Sequence, residues 1–201
     1  MKSFLIPLTV LTFFVSSAFA AKKPLDNIEL KFKATTGPSE LIATKLGLLS
    51  AKVSIDKFKD SRTVNPKNKI GENKEHEEKG IILPVTTSSD ISAFVTENFM
   101  DTLKQTGLEI VQTNSNFVLT GEITDYFVTE INTYQGNLTV RMTLSKDGKV
   151  IWKSTITGTN KRFGRSYSLE NYLETLSDTI VEFTTGLAKD PEFIEKLKTS
   201  K

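Results

Sequence analysis

The stretch from Asn160 to Ser168 gathers Lys161, Arg162 and Arg165, the rings of Phe163 and Tyr167, and the hydroxyls of Ser166 and Ser168. It precedes a segment of helical periodicity, so the free amides and the positive end of a helix dipole point toward it. Gly164 lets a backbone approach a ligand closely. Such a set suits an anion: phosphate, a carboxylate or an anionic lipid headgroup. The competing reading is a solvated strand-to-helix connection with Phe163 or Tyr167 packed inward.

Asp60-Ser61-Arg62 is the second cluster, at the end of an apolar strand. Polar residues at strand ends often line sites. An Asp60–Arg62 pair that ties down the following loop is the simpler account and is preferred. His76, the single histidine, stands among Glu72, Glu75, Glu77 and Glu78. One imidazole among carboxylates reads as a solvated acidic patch rather than a metal site. The chain has no cysteine, which removes thiol catalysis and thiolate metal sites. No nucleophile elbow, phosphate-binding glycine loop or dinucleotide fingerprint is visible. The chemistry therefore points to a protein that is not an enzyme and needs no cofactor.

The elements that must position these residues begin after a leader. Lys2, the apolar run Phe4 to Val15 and the small residues Ser17-Ala18-Phe19-Ala20 form a secretory signal cut after Ala20. About 180 residues remain, enough for one domain spanning 21–201. Loss of Lys2 lowers the formal net charge from +2 to +1, which gives no general reason to expect nucleic acid as partner. An exported chain without disulfides fits a bacterial periplasm, and no later stretch is apolar enough to span a bilayer.

Ile91, Phe94, Val95, Phe99 and Leu103 recur at helical steps between Ser88 and Gly107, with Ser88 or Ser89 as the expected N-cap. Leu169, Tyr172, Leu173, Leu176, Ile180, Phe183 and Leu187 form a second stripe behind Ser168, and Asp190-Pro191 opens a short third helix. Alternation predicts strands at Ile28–Phe32, Ala51–Phe58, Phe117–Ile123, Leu138–Leu144 and Val150–Ile156. Ala21–Asn27 reads as a lead-in and Asn65–Lys79 as an exposed loop. Ile81–Val85 reads as an edge strand limited by Pro84. Leu41–Leu49 fits either a helix or a packed loop. A slip in alternation predicts a bulge near Asp125. Around Asp147-Gly148 a three-residue loop sets Leu144 opposite Val150 and Met142 opposite Trp152, with Gly148 left-handed. The expected class is α+β: a two-layer sandwich, mainly antiparallel sheet with two helices packed on one face.

This order of pieces resembles the YajG-like family of bacterial envelope lipoproteins. The likeness runs from Val53–Arg62, with its Asp-x-Arg ending, through Ile70-Gly71, the helix from Ser88 and Thr106–Val111 to the Asp190–Leu197 tail. The family carries a lipobox cysteine, whereas Ala18-Phe19-Ala20-Ala21 stands in its place here. The resemblance implies a lipid-free periplasmic form and transfers no activity. It implies a binding or scaffolding module with an envelope protein as partner, or else a carrier or sensor of a small amphipathic or anionic ligand. Intact mass of the exported chain should place the new N-terminus at Ala21 with no acyl addition; retention of Met1 would contradict the leader assignment.

Overall fold

The structure, a computed structural model, describes residues 23–39 and 46–198. In chain order the strands are β1 (Leu25–Ile28), β2 (Lys52–Ile55), β3 (Lys59–Asp60), β4 (Lys69–His76) and β5 (Ile81–Thr87), then helix α1 (Ile91–Gln105) and β6 (Glu109–Ile110). The long strands β7 (Phe117–Glu130), β8 (Thr133–Lys146) and β9 (Lys149–Phe163) follow, then helices α2 (Leu169–Lys189) and α3 (Pro191–Lys198).

Among the described residues, the nine strands form one sheet with β7 as its spine. On one edge β7 takes β8 antiparallel along its whole length. On the other it takes β2, β3 and β4 in succession, each parallel: Val53 opposite Phe117, Lys59 opposite Glu122 and Gly71 opposite Val128. The fold is α+β, as expected, but the sheet is mixed rather than mainly antiparallel. Among the described residues, five of the eight strand pairings are parallel. Antiparallel hairpins announce themselves through turn residues; parallel pairings between distant segments leave no such local mark.

Core side chains alternate along β7: Phe117, Leu119 and Ile123, then after a shift in phase Tyr126 and Val128. The ladder with β8 shifts between Ile123 and Asp125, which is the expected bulge. Helices α1 and α2 cover this face. Phe99 of α1 stacks between Phe58 at 5.3 Å and Phe183 of α2 at 5.1 Å, joining strand connection and both helices. Phe193 of α3 packs 5.3 Å from Trp152. The α1 N-cap is Asp90, not Ser88 or Ser89: its Oδ1 accepts the Ala93 N–H at 3.0 Å, while Ser89 Oγ accepts the Leu30 N–H at 2.9 Å.

Four local expectations change. Asp147 (φ 50°) and Gly148 (φ 73°) are both left-handed, which makes a two-residue turn of the I′ kind. A bulge then sets Leu144 opposite Trp152 rather than Val150, and Met142 opposite Ser154 rather than Trp152, so the apolar face is kept by the strand rather than by a longer loop. The charged Asn65–Lys79 stretch is not a plain loop, because it contains β4, with Ile70, Gly71 and Asn73 turned inward. Among the described residues, strand β5 is an open edge over Ile81–Pro84, as expected, with β4 on one side; only from Val85, opposite Leu25, does β1 pair the other. Strand β1 therefore begins inside the expected lead-in. The following Glu29–Thr35 segment is no strand; side chains of α2 hold it, with the Lys33 N–H donating to Ser177 Oγ (2.8 Å) and the Thr35 N–H to Asp178 Oδ1 (2.7 Å). Most of Leu41–Leu49 lies outside the described residues.

Helix α2 sits unusually close to β8 and β9. A Cβ on Gly158 would lie 2.2 Å from the Thr179 carbonyl oxygen and 2.3 Å from the Phe183 nitrogen. Gly158→Ala should therefore destabilise the fold by about 3 kcal/mol by forcing helix and strand apart. Gly186→Ala, where the nearest atom is Ile156 Cγ2 at 3.4 Å, should stabilise by about 0.5–1 kcal/mol through helix propensity. Urea melts of the two variants would check the contrast.

Candidate functional site

Arg62 is almost wholly buried, at 2% exposure. Its Nε and Nη2 donate to the two Asp60 oxygens, each at 3.0 Å. Nη1 donates to the carbonyls of Lys69 (3.0 Å) and Tyr126 (3.3 Å), and Nη2 also to that of Lys67 (2.6 Å). All five guanidinium N–H donors are thereby used within the chain. Lys67 Nζ donates in return to the Arg62 carbonyl. Burial pushes the Asp60 carboxyl up, but the hydrogen bonds and charge of Arg62 outweigh it and hold the group below the usual carboxylate range. The cluster binds β3, the Pro66–Lys69 turn, β4 and β7 to one another and leaves no guanidinium donor for a ligand.

The residues of the Asn160–Ser168 stretch do not converge. Lys161 and Arg162 belong to β9, opposite Gln135 and Tyr134 of β8, so alternation sends them to opposite faces. Arg162 points to the helix side and is paired with Glu174; its Nη1 also reaches Asp178 Oδ2 (3.4 Å) and Thr35 Oγ1 (3.3 Å). Lys161 is exposed on the opposite, uncovered face, and Arg165 is exposed in the connection. Ser166 Oγ lies 3.2 Å from Tyr134 Oη and accepts from Asn171 Nδ2 at 3.2 Å. The Ser168 N–H donates to Tyr134 Oη (3.0 Å), and the Ser168 side chain makes no capping bond.

One functional group escaped the sequence reading. Glu130 ends β7 fully buried, and its carboxylate accepts the Tyr167 N–H (2.9 Å) and the Tyr172 hydroxyl (3.1 Å). An internal carboxylate thus occupies the approach to the start of α2. Burial first, then the Glu130 charge, pushes the Tyr172 hydroxyl well above its ordinary value. The signal was present, since Glu130 continues the inward series Tyr126, Val128. His76 is half-exposed, 3.8 Å from Glu78, and no three metal-ligating side chains cluster among the described residues.

No described residue outside the sheet's own strands and their connections covers the face of β7, β8 and β9 away from the helices. A shallow depression of about 720 Å³ lies there, lined by Lys57, Lys59, Glu122, Arg141, Lys153 and Thr155; Glu122 and Arg141 pair at 2.9 Å. A second, of about 620 Å³, is lined by Asp125, Phe127, Gln135, Asn137, Thr159 and Lys161. Under the helices, by contrast, Tyr126, Tyr134, Tyr172, Phe99 and Phe183 fill the interior.

No protein-family model matches the chain, and no curated protein matches it. Solved structures do. A Xanthomonas campestris protein of the DUF330 family is 11% identical and aligns over 84% of this chain and 97% of its own, with a TM-score of 0.59. An uncharacterized protein aligns over 84% and 99% at 8% identity, with a TM-score of 0.54. A minor lipoprotein from Acinetobacter baumannii aligns over 71% and 92% at 12% identity, with a TM-score of only 0.39. The first two likenesses establish a shared fold. No helix among the described residues is long and apolar enough to cross a membrane.

Asp60→Asn should cost about 3 kcal/mol at neutral pH, because it strips the counter-charge from a buried guanidinium. The native pair stabilises above the unfolded carboxyl value, near 4, and that contribution fades as pH falls through the lower native value. The gap between wild type and variant in thermal melts should therefore close below about pH 4.

Proposed function

We propose that this chain is a non-enzymatic periplasmic protein, YajG-like, released after Ala20 as a single domain and acting as a binding or scaffolding module for envelope components. One observation carries this reading. The helix-covered face of the sheet is filled with aromatic side chains, while the opposite face of the three longest strands is bare, polar and mildly concave. Contact with another macromolecule over that face suits such a surface better than enclosure of a ligand. With Lys57 paired to Asp90 and Arg141 to Glu122, Lys59 and Lys153 still outnumber Asp56 there, which favours a partner with an acidic patch.

The second reading, a carrier or sensor of a small amphipathic or anionic ligand, draws support from exposed Lys161 and Arg165; the side chains of Arg162 and Ser166 and the backbone N–H of Ser168 are engaged within the chain.

A photo-crosslinking residue placed at Thr155, on the bare face, should capture an envelope protein in periplasm, whereas one at exposed Glu182 on α2 should not. Arg141→Glu with Lys153→Glu should abolish the Thr155 adduct. Equal capture from both positions, or an adduct indifferent to the charge reversal, would remove this reading.

A further inference from the structure

Several of the large apolar side chains that the fold leaves exposed lie at one end of the sheet. Phe163, which ends β9, is 91% exposed; Ile131, in the β7–β8 turn, is 41% exposed. Phe163 sits close to that turn, because its partner in β8 is Thr133, whose carbonyl accepts the Ile131 N–H at 3.3 Å. Ile81 (47%) and Ile82 (42%) open β5 at the same end, since Asn73 of β4 is level with Glu130 and His76 faces Ile81. Lys161 and Arg165 flank Phe163 on the chain and are both exposed; among the described residues neither forms an ion pair. Of the carboxylates at this end, Glu130 is buried, while on the β4–β5 hairpin Glu77 is paired with Lys74 at 3.2 Å and Glu78 lies 3.8 Å from His76.

The chain also enters the fold here. Strand β1 is parallel to β5, so Leu25 lies toward this end, and its N–H donates to the Tyr167 hydroxyl (3.1 Å) in the connection that follows Phe163. The apolar run Phe4 to Val15, read as an export leader, is followed by nine residues before that point. An almost fully exposed phenylalanine between two cations, with isoleucines beside it, is the arrangement that seats in a headgroup layer. Four side chains are too few for a stable protein interface of about 800 Å² per partner.

We propose that this end of the sheet is a membrane-contact tip: Phe163, Ile131, Ile81 and Ile82 enter the interfacial layer of a bilayer, and Lys161 and Arg165 hold anionic headgroups. Lys161 belongs to both this tip and the bare sheet face, but Phe163, Ile131, Ile81, Ile82 and Arg165 line neither depression of that face, and Arg141 and Lys153 are not in the tip, so either surface can fail without the other.

The test is flotation of the chain from Ala21 to Lys201 with vesicles of phosphatidylglycerol and phosphatidylethanolamine, and with phosphatidylcholine vesicles, at low salt. Wild type should float with the anionic vesicles and only weakly with phosphatidylcholine. Phe163→Ser with Ile131→Ser should reduce partitioning by about tenfold or more. Lys161→Gln with Arg165→Gln should reduce it by roughly tenfold on the anionic vesicles alone. Val150→Ser, which removes an exposed apolar side chain at the opposite end of β9, should change nothing. Absence of wild-type flotation on anionic vesicles, or tip variants that float like wild type, would overturn the proposal. A self-association of wild type that Phe163→Ser abolishes, without vesicle binding, would assign the tip to a second copy of the chain and overturn it equally.

Discussion

Strand β7 is hydrogen-bonded on both edges over most of its fourteen residues, and the remaining architecture follows from that constraint. One edge is filled by a single long partner, β8. The other is shared end to end by β2, β3 and β4, so the chain must leave and rejoin the same edge between them. Each break creates backbone groups that the ladder no longer satisfies. Arg62 resolves one such break: its guanidinium takes the carbonyls of Lys67, Lys69 and Tyr126 where β3 gives way to β4. The Asp60 pair keeps that buried cation neutralised. In this protein the Asp-x-Arg motif is the joint of a discontinuous strand edge.

The same constraint explains what could be read from the sequence and what could not. Both helical stripes, the bulge near Asp125 and the left-handed Gly148 were legible, because each depends on residues close in the chain. Strand β4 was not. Its Gly71 is inward because Tyr172 passes over it, and a Cβ there would meet Tyr172 Cε1 at 2.9 Å. Its Asn73 is inward beside Glu130. An inward face made of Ile, Gly and Asn has no apolar period to detect. The β8–β9 turn misled for a different reason. The two-residue loop had the better turn chemistry, and only a bulge on β9, invisible locally, reconciles it with burial of Trp152.

The basic stretch before α2 was legible as a cluster of cations but not as a geometry. Charge in sequence order says nothing of faces, and β9 extends far enough to divide Lys161 from Arg162. Two carboxylates of α2, Glu174 and Asp178, stand where Arg162 arrives. Asp178, itself buried, also receives the Thr35 amide and hydroxyl (both 2.7 Å), so one acid joins β9 to the extended segment after β1. Glu130 does the same for Tyr167 and Tyr172. These are internal anions meeting internal donors. They make the helix side of the loop a structural joint and leave only its outward residues available.

A division between the two sides of the sheet results. On the helix side the buried charged groups Arg62, Glu130 and Asp178 are matched at short range, and Gly136 and Gly158 let α2 lie close against β8 and β9. On the bare side Lys153, Thr155, Thr157, Thr159 and Lys161 line β9, whose outer edge has no strand partner among the described residues. A fifteen-residue open edge invites pairing with other chains, and lysines near its two ends oppose that. Phe163 breaks the pattern, since it adds an exposed aromatic ring where the edge is otherwise defended by charge and hydroxyls. Nothing in the packing of the core requires an aromatic there, and a serine or lysine would serve the strand equally well. A residue that the fold does not need, held between two cations beside the point where the chain enters the domain, is accounted for by something outside the fold.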